Sequence, residues 1–312
     1  MKGFKDYFLL YLKGIAMGSA DVVPGVSGGT IAFITGIYET LLKSIRSVDL
    51  QALNYLKKFQ IKELWRHVNG SFLITLLAGI ATSILTLAKL ITHLLSTYPI
   101  QLWSFFFGLI VISALIILRE IKQWSTGVFI AILVGTIAAY FVTAATPAET
   151  PDASWFLFIA GAVAICAMIL PGISGAFILL IFGKYEFILA AIKEFRIQDI
   201  LIFGLGCIVG LLSFARLVSW LFSRYHNITV GVLSGFMIGS LNKVWPWKEA
   251  LETYVDRHNE IKPLVEANVL PNEYLAKTGA EPFFLEAILF AAAGFLIVLA
   301  MDRIAALLNP QK

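Results

Sequence analysis

The chain has 312 residues, 59% of them hydrophobic and 14% charged, with a mean hydropathy of +0.83; soluble domains carry roughly 25% charged residues, so a water-soluble globular fold is excluded. The net charge of +4 is too small and dispersed for a nucleic-acid surface, and instead reports which loops face the cytoplasm. Cys166 and Cys207 lie in apolar stretches without Cys or His at ligand spacing, which excludes a disulfide framework and argues against a metal or other cofactor.

Taken in order, the apolar segments are residues 4–20, 22–45, 71–95, 100–118, 127–145, 155–170, 172–192, 200–222, 228–241 and 283–308. Several reach the 18 or so residues needed to cross a hydrocarbon core of about 30 Å as a helix. The first carries Lys5, Asp6 and Lys13 and no small-residue cleavage site, so it is expected to be retained. Residues 48–68 set Leu50, Leu53, Leu56, Ile61, Leu64, Trp65 and Val68 among Lys57, Lys58, Lys62 and Arg66. That pattern predicts a basic amphipathic helix on the inner leaflet or a short solvated one. Residues 243–282, with Pro246, Pro263, Pro271 and Pro282, are too polar to span and are expected to cap the outer face.

The second segment opens on DVVPGVSGGTIAFITGIYE at residues 21–39, and LPGISGAFILLIFGKYE returns at residues 170–186. Pro24 falls on Pro171, Gly25 on Gly172, Ser27 on Ser174, Gly28 on Gly175, Gly36 on Gly183, Tyr38 on Tyr185 and Glu39 on Glu186, a constant offset of 147. Further on, Gly79 pairs with Gly206, Lys89 with Arg216, Gly108 with Gly235 and Ser113 with Ser240, at an offset of 127. The chain therefore reads as a duplication: residues 1–146 form one repeat with an insertion at about 46–70, and residues 147–312 a second with an extracytoplasmic segment at about 243–282.

Lys2, Lys5 and Lys13, then Arg46, Lys57, Lys58, Lys62 and Arg66, place the N-terminus and the insertion in the cytoplasm. From there the loops alternate. Arg119 and Lys122 fall inside, Glu149 and Asp152 outside, Arg224 inside, and Arg303 and Lys312 end inside. Each half then makes an odd number of crossings, and the halves are oppositely inserted. The expected fold is an all-α polytopic membrane protein of two inverted repeats, each a Pro-Gly-broken helix pair plus three transmembrane helices. Charge counting accepts either a re-entrant pair or two full spans, and the re-entrant form is the expectation. Inverted repeats with broken helices mark secondary transporters, whose sites form where the repeats meet.

Within each motif the proline, Pro24 or Pro171, stops the preceding helix, the glycines allow a tight loop, and Ser27 or Ser174 is suited to cap a new helix. Irregular backbone at membrane depth must be buried in protein or line a wet cavity. Free amides and hydroxyls at Gly25, Ser27, Gly28, Gly29, Thr30, Gly172, Ser174 and Gly175 suit an anion, phosphate above all. Arg216 and Lys89 are candidate partners for its charge, and Asp21, Glu39 and Glu186 are candidate counter-ions or proton carriers. His67, His93, His226 and His258 form no cluster, which argues against a metal.

DVVPGVSGGT followed by GIYE, with LPGISG and GKYE in the second half, resembles the PopT family of polyprenyl-phosphate transporters over nearly the whole chain. The resemblance implies a flippase of the prokaryotic plasma membrane that returns undecaprenyl phosphate from the outer to the cytoplasmic leaflet for envelope polymer synthesis. Its partners would be that lipid phosphate, membrane lipids, and protons or sodium as coupling ion, with no nucleic acid. The family motif falls on Asp21, Pro24, Gly25, Ser27, Gly28, Gly29, Glu39, Pro171, Gly172, Ser174, Gly175 and Glu186. The second copy departs at Ala176 and Phe177, where the first has Gly29 and Thr30. Two other classes fit the residues alone: an intramembrane polyprenyl-pyrophosphate phosphatase, although neither loop sets His or Arg beside its Ser, and an ion-coupled transporter of a small soluble anion.

Overall fold

The computed structural model describes residues 3–23, 26–148, 150–151, 153–255 and 261–308. The expectations placed on Pro24, Gly25, Lys2, Glu149, Asp152, His258 and Lys312 lie outside those residues.

The first motif is a helical hairpin. α1 (Phe4–Asp21) is followed by α2 (Gly28–Ile34) and α3 (Tyr38–Arg46). Ser27 starts α2 from extended backbone, its Oγ accepting from Gly29 N at 3.0 Å, a side-chain cap worth about 1 kcal/mol. Lys13 Nζ donates to the Thr35 carbonyl at 2.7 Å and Gly28 N donates to Asp21 Oδ1 at 2.7 Å, so α2 runs back along α1. Seven residues of helix rise about 10 Å, a third of a hydrocarbon core. The motif therefore doubles back beside α1. Gly36, at φ +71°, supplies the left-handed turn into α3.

The expected single amphipathic helix over 48–68 is two helices, α4 (Leu50–Lys57) and α5 (Ile61–His67). Phe59 between them sits at φ 55°, a conformation that no continuous helix passes through. The seven apolar positions named from sequence thus divide between two short cylinders. Leu50, Leu53, Leu56, Phe59, Ile61 and Trp65 are all exposed.

The chain continues as α6 (Gly70–Thr97), α7 (Pro99–Leu118) and α8 (Thr126–Ala144). The second motif follows as α9 (Ser154–Ile169), α10 (Gly175–Ile181) and α11 (Tyr185–Lys193), then α12 (Ile197–Arg224) and α13 (His226–Ser240). Ala148 N donates to the Ile181 carbonyl at 2.9 Å and Thr150 Oγ1 to the Phe182 carbonyl, so α10 also returns to where α9 began. α10 and α11 are bent by 105°. Element lengths recur: α2 and α10 have 7 residues each, α3 and α11 have 9, and α6 and α12 have 28. Tyr98 after α6 and Tyr225 after α12 are single non-helical residues with nearly the same backbone, φ −131° ψ 54° and φ −135° ψ 51°.

Among the described residues, five helices are long and apolar enough to cross a membrane: α6, α7, α8, α12 and α15 (Phe284–Leu308). This is the all-α polytopic membrane fold expected. α6 begins beside α3, where Asn69 Nδ2 donates to Ser44 Oγ at 3.2 Å. α12 ends there, with the Phe222 ring 6.0 Å from Tyr38. The two long helices consequently run in opposite directions.

Packing crosses between the halves. α7 lies against α15 and α8 against α13, while α1 pairs with α6 and α9 with α12. Small residues at each crossing bring backbones together: a Cβ at Gly108 would collide with the Ala291 carbonyl, and one at Gly235 with that of Ile132.

Residues 243–282 were expected to cap the outer face, and they hold two strands that the sequence did not suggest. β1 (Lys248–Val255) pairs antiparallel with β2 (Ile261–Asn268), and α14 (Pro271–Thr278) follows. KEALETYV is rich in helix formers, but Trp247 and Val269 at the open end of the hairpin pack with Ile100 of α7 and Ala287 of α15. Those contacts override the local preference.

Candidate functional site

The two hairpin tips meet. Ser27 Oγ donates to the Met168 carbonyl at 3.1 Å, and Thr30 Oγ1 accepts from Gly172 N at 3.0 Å. A Cβ at Gly29 would collide with the Ile169 carbonyl, so only glycine permits this approach. Residues 141 and 142 apart in sequence thus form one contact. Gly172 holds φ +85°, a conformation suited to glycine, and its missing side chain leaves room for Ser240 Oγ and the Phe236 carbonyl.

The described residues of both tips are buried. Val26, Ser27 and Thr30 are fully buried, Ser174 is 5% exposed, and Gly28, Gly29, Gly172 and Gly175 are buried. The amides expected to be free for an anion are occupied: Gly28 N by Asp21, Gly29 N by Ser27 and Gly172 N by Thr30. Of the two settings open to irregular backbone at membrane depth, the described tip residues take burial in protein rather than a cavity lining. Buried amides must be paired, and here the motif's own oxygens pair them. The copies are not equivalent, since Ser174 starts α10 without a side-chain cap bond.

The charged candidates are spread out. Asp21 is the one at a tip. Arg216 is exposed on α12 and donates from Nη2 to the Val48 carbonyl at 3.3 Å. Ala215, Val218, Ser219 and Phe222 form the buried face of α12, and a step of one residue turns Arg216 away from it. Lys89 is likewise exposed on α6. Neither cation joins the tips as expected, and outward-facing long side chains of this kind run to an interface. Glu39 is about half exposed, 3.0 Å from Lys43 and 4.0 Å from His226. Glu186 is partly buried on α11.

Sequence reasoning missed three contributors: the carbonyls of Met168 and Ile169, and Ser240. The first two are backbone and leave no trace in side-chain identity. Ser240 did leave one, as the repeat partner of Ser113, but nothing local tied it to Gly172.

Elsewhere an open, largely apolar groove of about 260 Å³ runs between α8 and α13, lined by Thr136, Ile137, Tyr140, Phe141, Ile238, Gly239 and Asn242.

The family model that matches this chain, over residues 17–262, is described as undecaprenyl phosphate translocase-like. A polyprenyl-phosphate transporter of Vibrio cholerae serotype O1 is 49% identical over 300 residues, covering 96% of this chain and 97% of that protein. A polyprenyl-phosphate transporter of Staphylococcus aureus is 32% identical over 265 residues, covering 79% of this chain and 88% of that protein. No solved structure matches.

Proposed function

The chain belongs to the undecaprenyl phosphate translocase-like family, and from that premise we propose that it carries undecaprenyl phosphate or a related polyprenyl phosphate across a bacterial plasma membrane, from the outer to the cytoplasmic leaflet. The observation that carries the reading is the junction of the two motif tips through Ser27, Thr30, Met168 and Gly172. A phosphate has the oxygens to replace Asp21 Oδ1, Ser27 Oγ and Thr30 Oγ1 on the amides of Gly28, Gly29 and Gly172 one for one.

Pro171, Ser174 and Gly175 shape the second tip around that exchange. Asp21 cannot stay ionised on Gly28 while a phosphate occupies the neighbouring amides, because two anions at that distance repel strongly in a low dielectric. It must move or take up a proton, which makes it the first candidate to couple transport to an ion. Glu39 and Glu186, in matching positions after each bend, are the second. The opposite courses of α6 and α12 support an organisation in oppositely inserted halves, with each tip entering from its own side. Arg216 and Lys89, out on the bundle surface, serve as interfacial cations that attract the lipid head before it reaches the tips. No covalent bond changes in this cycle.

The test is transfer of labelled undecaprenyl phosphate between leaflets of vesicles holding the purified protein, with and without a pH or sodium gradient. Protein-dependent transfer that Ser27→Ala slows is the expected result. Equal transfer with and without protein, or release of inorganic phosphate from undecaprenyl pyrophosphate, would overturn the reading.

A further inference from the structure

The segment that follows α13 lies directly over the second tip. Ser240 borders Gly172, and three residues on, Lys243 Nζ sits 4.8 Å from the centre of the Phe177 ring in the first turn of α10. Phe177 is the position where the second motif departs from the first, which has Thr30. Thr30 spends its oxygen on the opposing tip; Phe177 offers an aromatic face to a cation.

Lys243 does not stand alone. Its Nζ is 3.2 Å from Glu266 Oε2, and Lys248 Nζ is 3.6 Å from the same oxygen. Lys248 also donates to the Lys243 carbonyl at 2.7 Å and lies 4.1 Å from the centre of the Trp103 ring on α7. The Lys248 side chain is 8% exposed and that of Lys243 19%. Two ammonium groups thus share one carboxylate oxygen, leaving one unit of positive charge largely withdrawn from water. A cap held by simple ion pairing would need one cation for that carboxylate. Asn242, next to Lys243, is also the end of the groove between α8 and α13.

The geometry points to a loading site for the substrate: Lys243 and Lys248 receive the phosphate head at the outer face of the second tip, Glu266 is the counter-ion that the phosphate displaces, and the adjoining groove takes the first part of the prenyl chain. The inference rests on the reading that the chain moves a lipid phosphate. A dianionic phosphate exceeds the single charge of Glu266, and its three acceptor oxygens suit two ammonium groups at once. At about 260 Å³ the groove is below the size of a site that encloses a whole ligand, so the rest of the chain stays in lipid. Burial pushes the Lys248 ammonium down to about 8 against the pull of Glu266, with Lys243 adding to the push. Such a group gains from an arriving anion.

The test uses the full-length protein in vesicles with labelled undecaprenyl phosphate, measuring transfer against lipid concentration. Lys243→Gln is expected to raise the half-saturating concentration about tenfold, the scale of one charge-assisted hydrogen bond, while Glu266→Gln lowers it. A cap-holding ion pair predicts the same direction of change for both variants, together with a lower unfolding temperature; that result, or unchanged half-saturation in both, overturns the loading site while wild-type transfer still stands. If wild-type protein transfers no lipid, the functional reading itself fails instead. Ile137→Trp, which narrows the groove away from the lysines, is expected to weaken undecaprenyl phosphate more than a water-soluble short-chain prenyl phosphate. Equal effects on both would remove the groove from the site.

Discussion

Thr30 holds the opposing tip through a single oxygen. Replacing it by valine keeps the shape and leaves the buried Gly172 N–H without its partner, which costs about 1–3 kcal/mol. Thr30→Val is expected to unfold at a lower temperature in detergent, and Thr30→Ser, which keeps the oxygen, to recover most of the loss. Lys248 allows a prediction in pH. Burial holds it down near 8, and the charged groups facing it are Glu266 and Lys243. Burial also works to raise the Glu266 carboxyl, but Lys248 and Lys243 outweigh it and keep it below the usual range. Lys248 is charged below about pH 8 and neutral above. Affinity for lipid phosphate is therefore expected to fall between pH 7 and 9 in the wild type and to flatten in Lys248→Met, read as half-saturation of transfer. Stability moves the other way: the unfolded chain holds that proton up to the ordinary lysine range, so from about pH 8 upward the folded state gains. At this scale the sequence was legible where identity carries geometry, as in glycines at a tip or a serine at a cap. It was silent on which oxygen would meet which amide across 142 residues, because that depends on how two distant hairpins dock.

The hairpins themselves could be foreseen as breaks, with the return expected but not required by the residues. Proline and glycine stop a helix whichever way the chain then goes, and only the Lys13 to Thr35 and Ala148 to Ile181 contacts fix the direction. The insertion shows the converse. Its apolar spacing suits one helix, yet the left-handed Phe59 divides it, with each half presenting its own exposed apolar residues. That shape suits two cylinders laid side by side on a charged bilayer, with Trp65, 46% exposed, at the boundary. Trp65 as the only tryptophan, the others replaced by phenylalanine, is expected to shift its emission to the blue in vesicles rich in anionic lipid relative to neutral ones, and to lose the difference when Lys57, Lys58, Lys62 and Arg66 become glutamine. The β-hairpin of β1 and β2 was illegible for a different reason. Its strand residues favour helix, and their conformation is set by tryptophans that find their pockets only once α7 and α15 are in place.

Across the whole molecule, duplication was visible in sequence as two offsets, and the recurrence of element lengths agrees with it. How the copies engage was not visible. α7 of the first copy needs α15 of the second, and α8 needs α13, since these contacts fill the glycine notches at each crossing. Residues 1–146 and 147–312 made separately are expected to be protease-sensitive in detergent, and made together to assemble into a resistant complex that elutes as one species on size exclusion.

That exchange of helices limits how the machine moves. A hinge between copies would have to prise apart α7 from α15 and α8 from α13, where backbone lies against backbone with no side chain to slide on. The four together are expected to act as a stationary frame, with an alternating cycle left to the outer pairs, α1 with α6 and α9 with α12, each carrying its own hairpin past the frame. The stroke is then a shift of two arms within a fixed chassis, and a spectroscopic ruler from Phe105 to Gly294 should read the same length in every stage of transport.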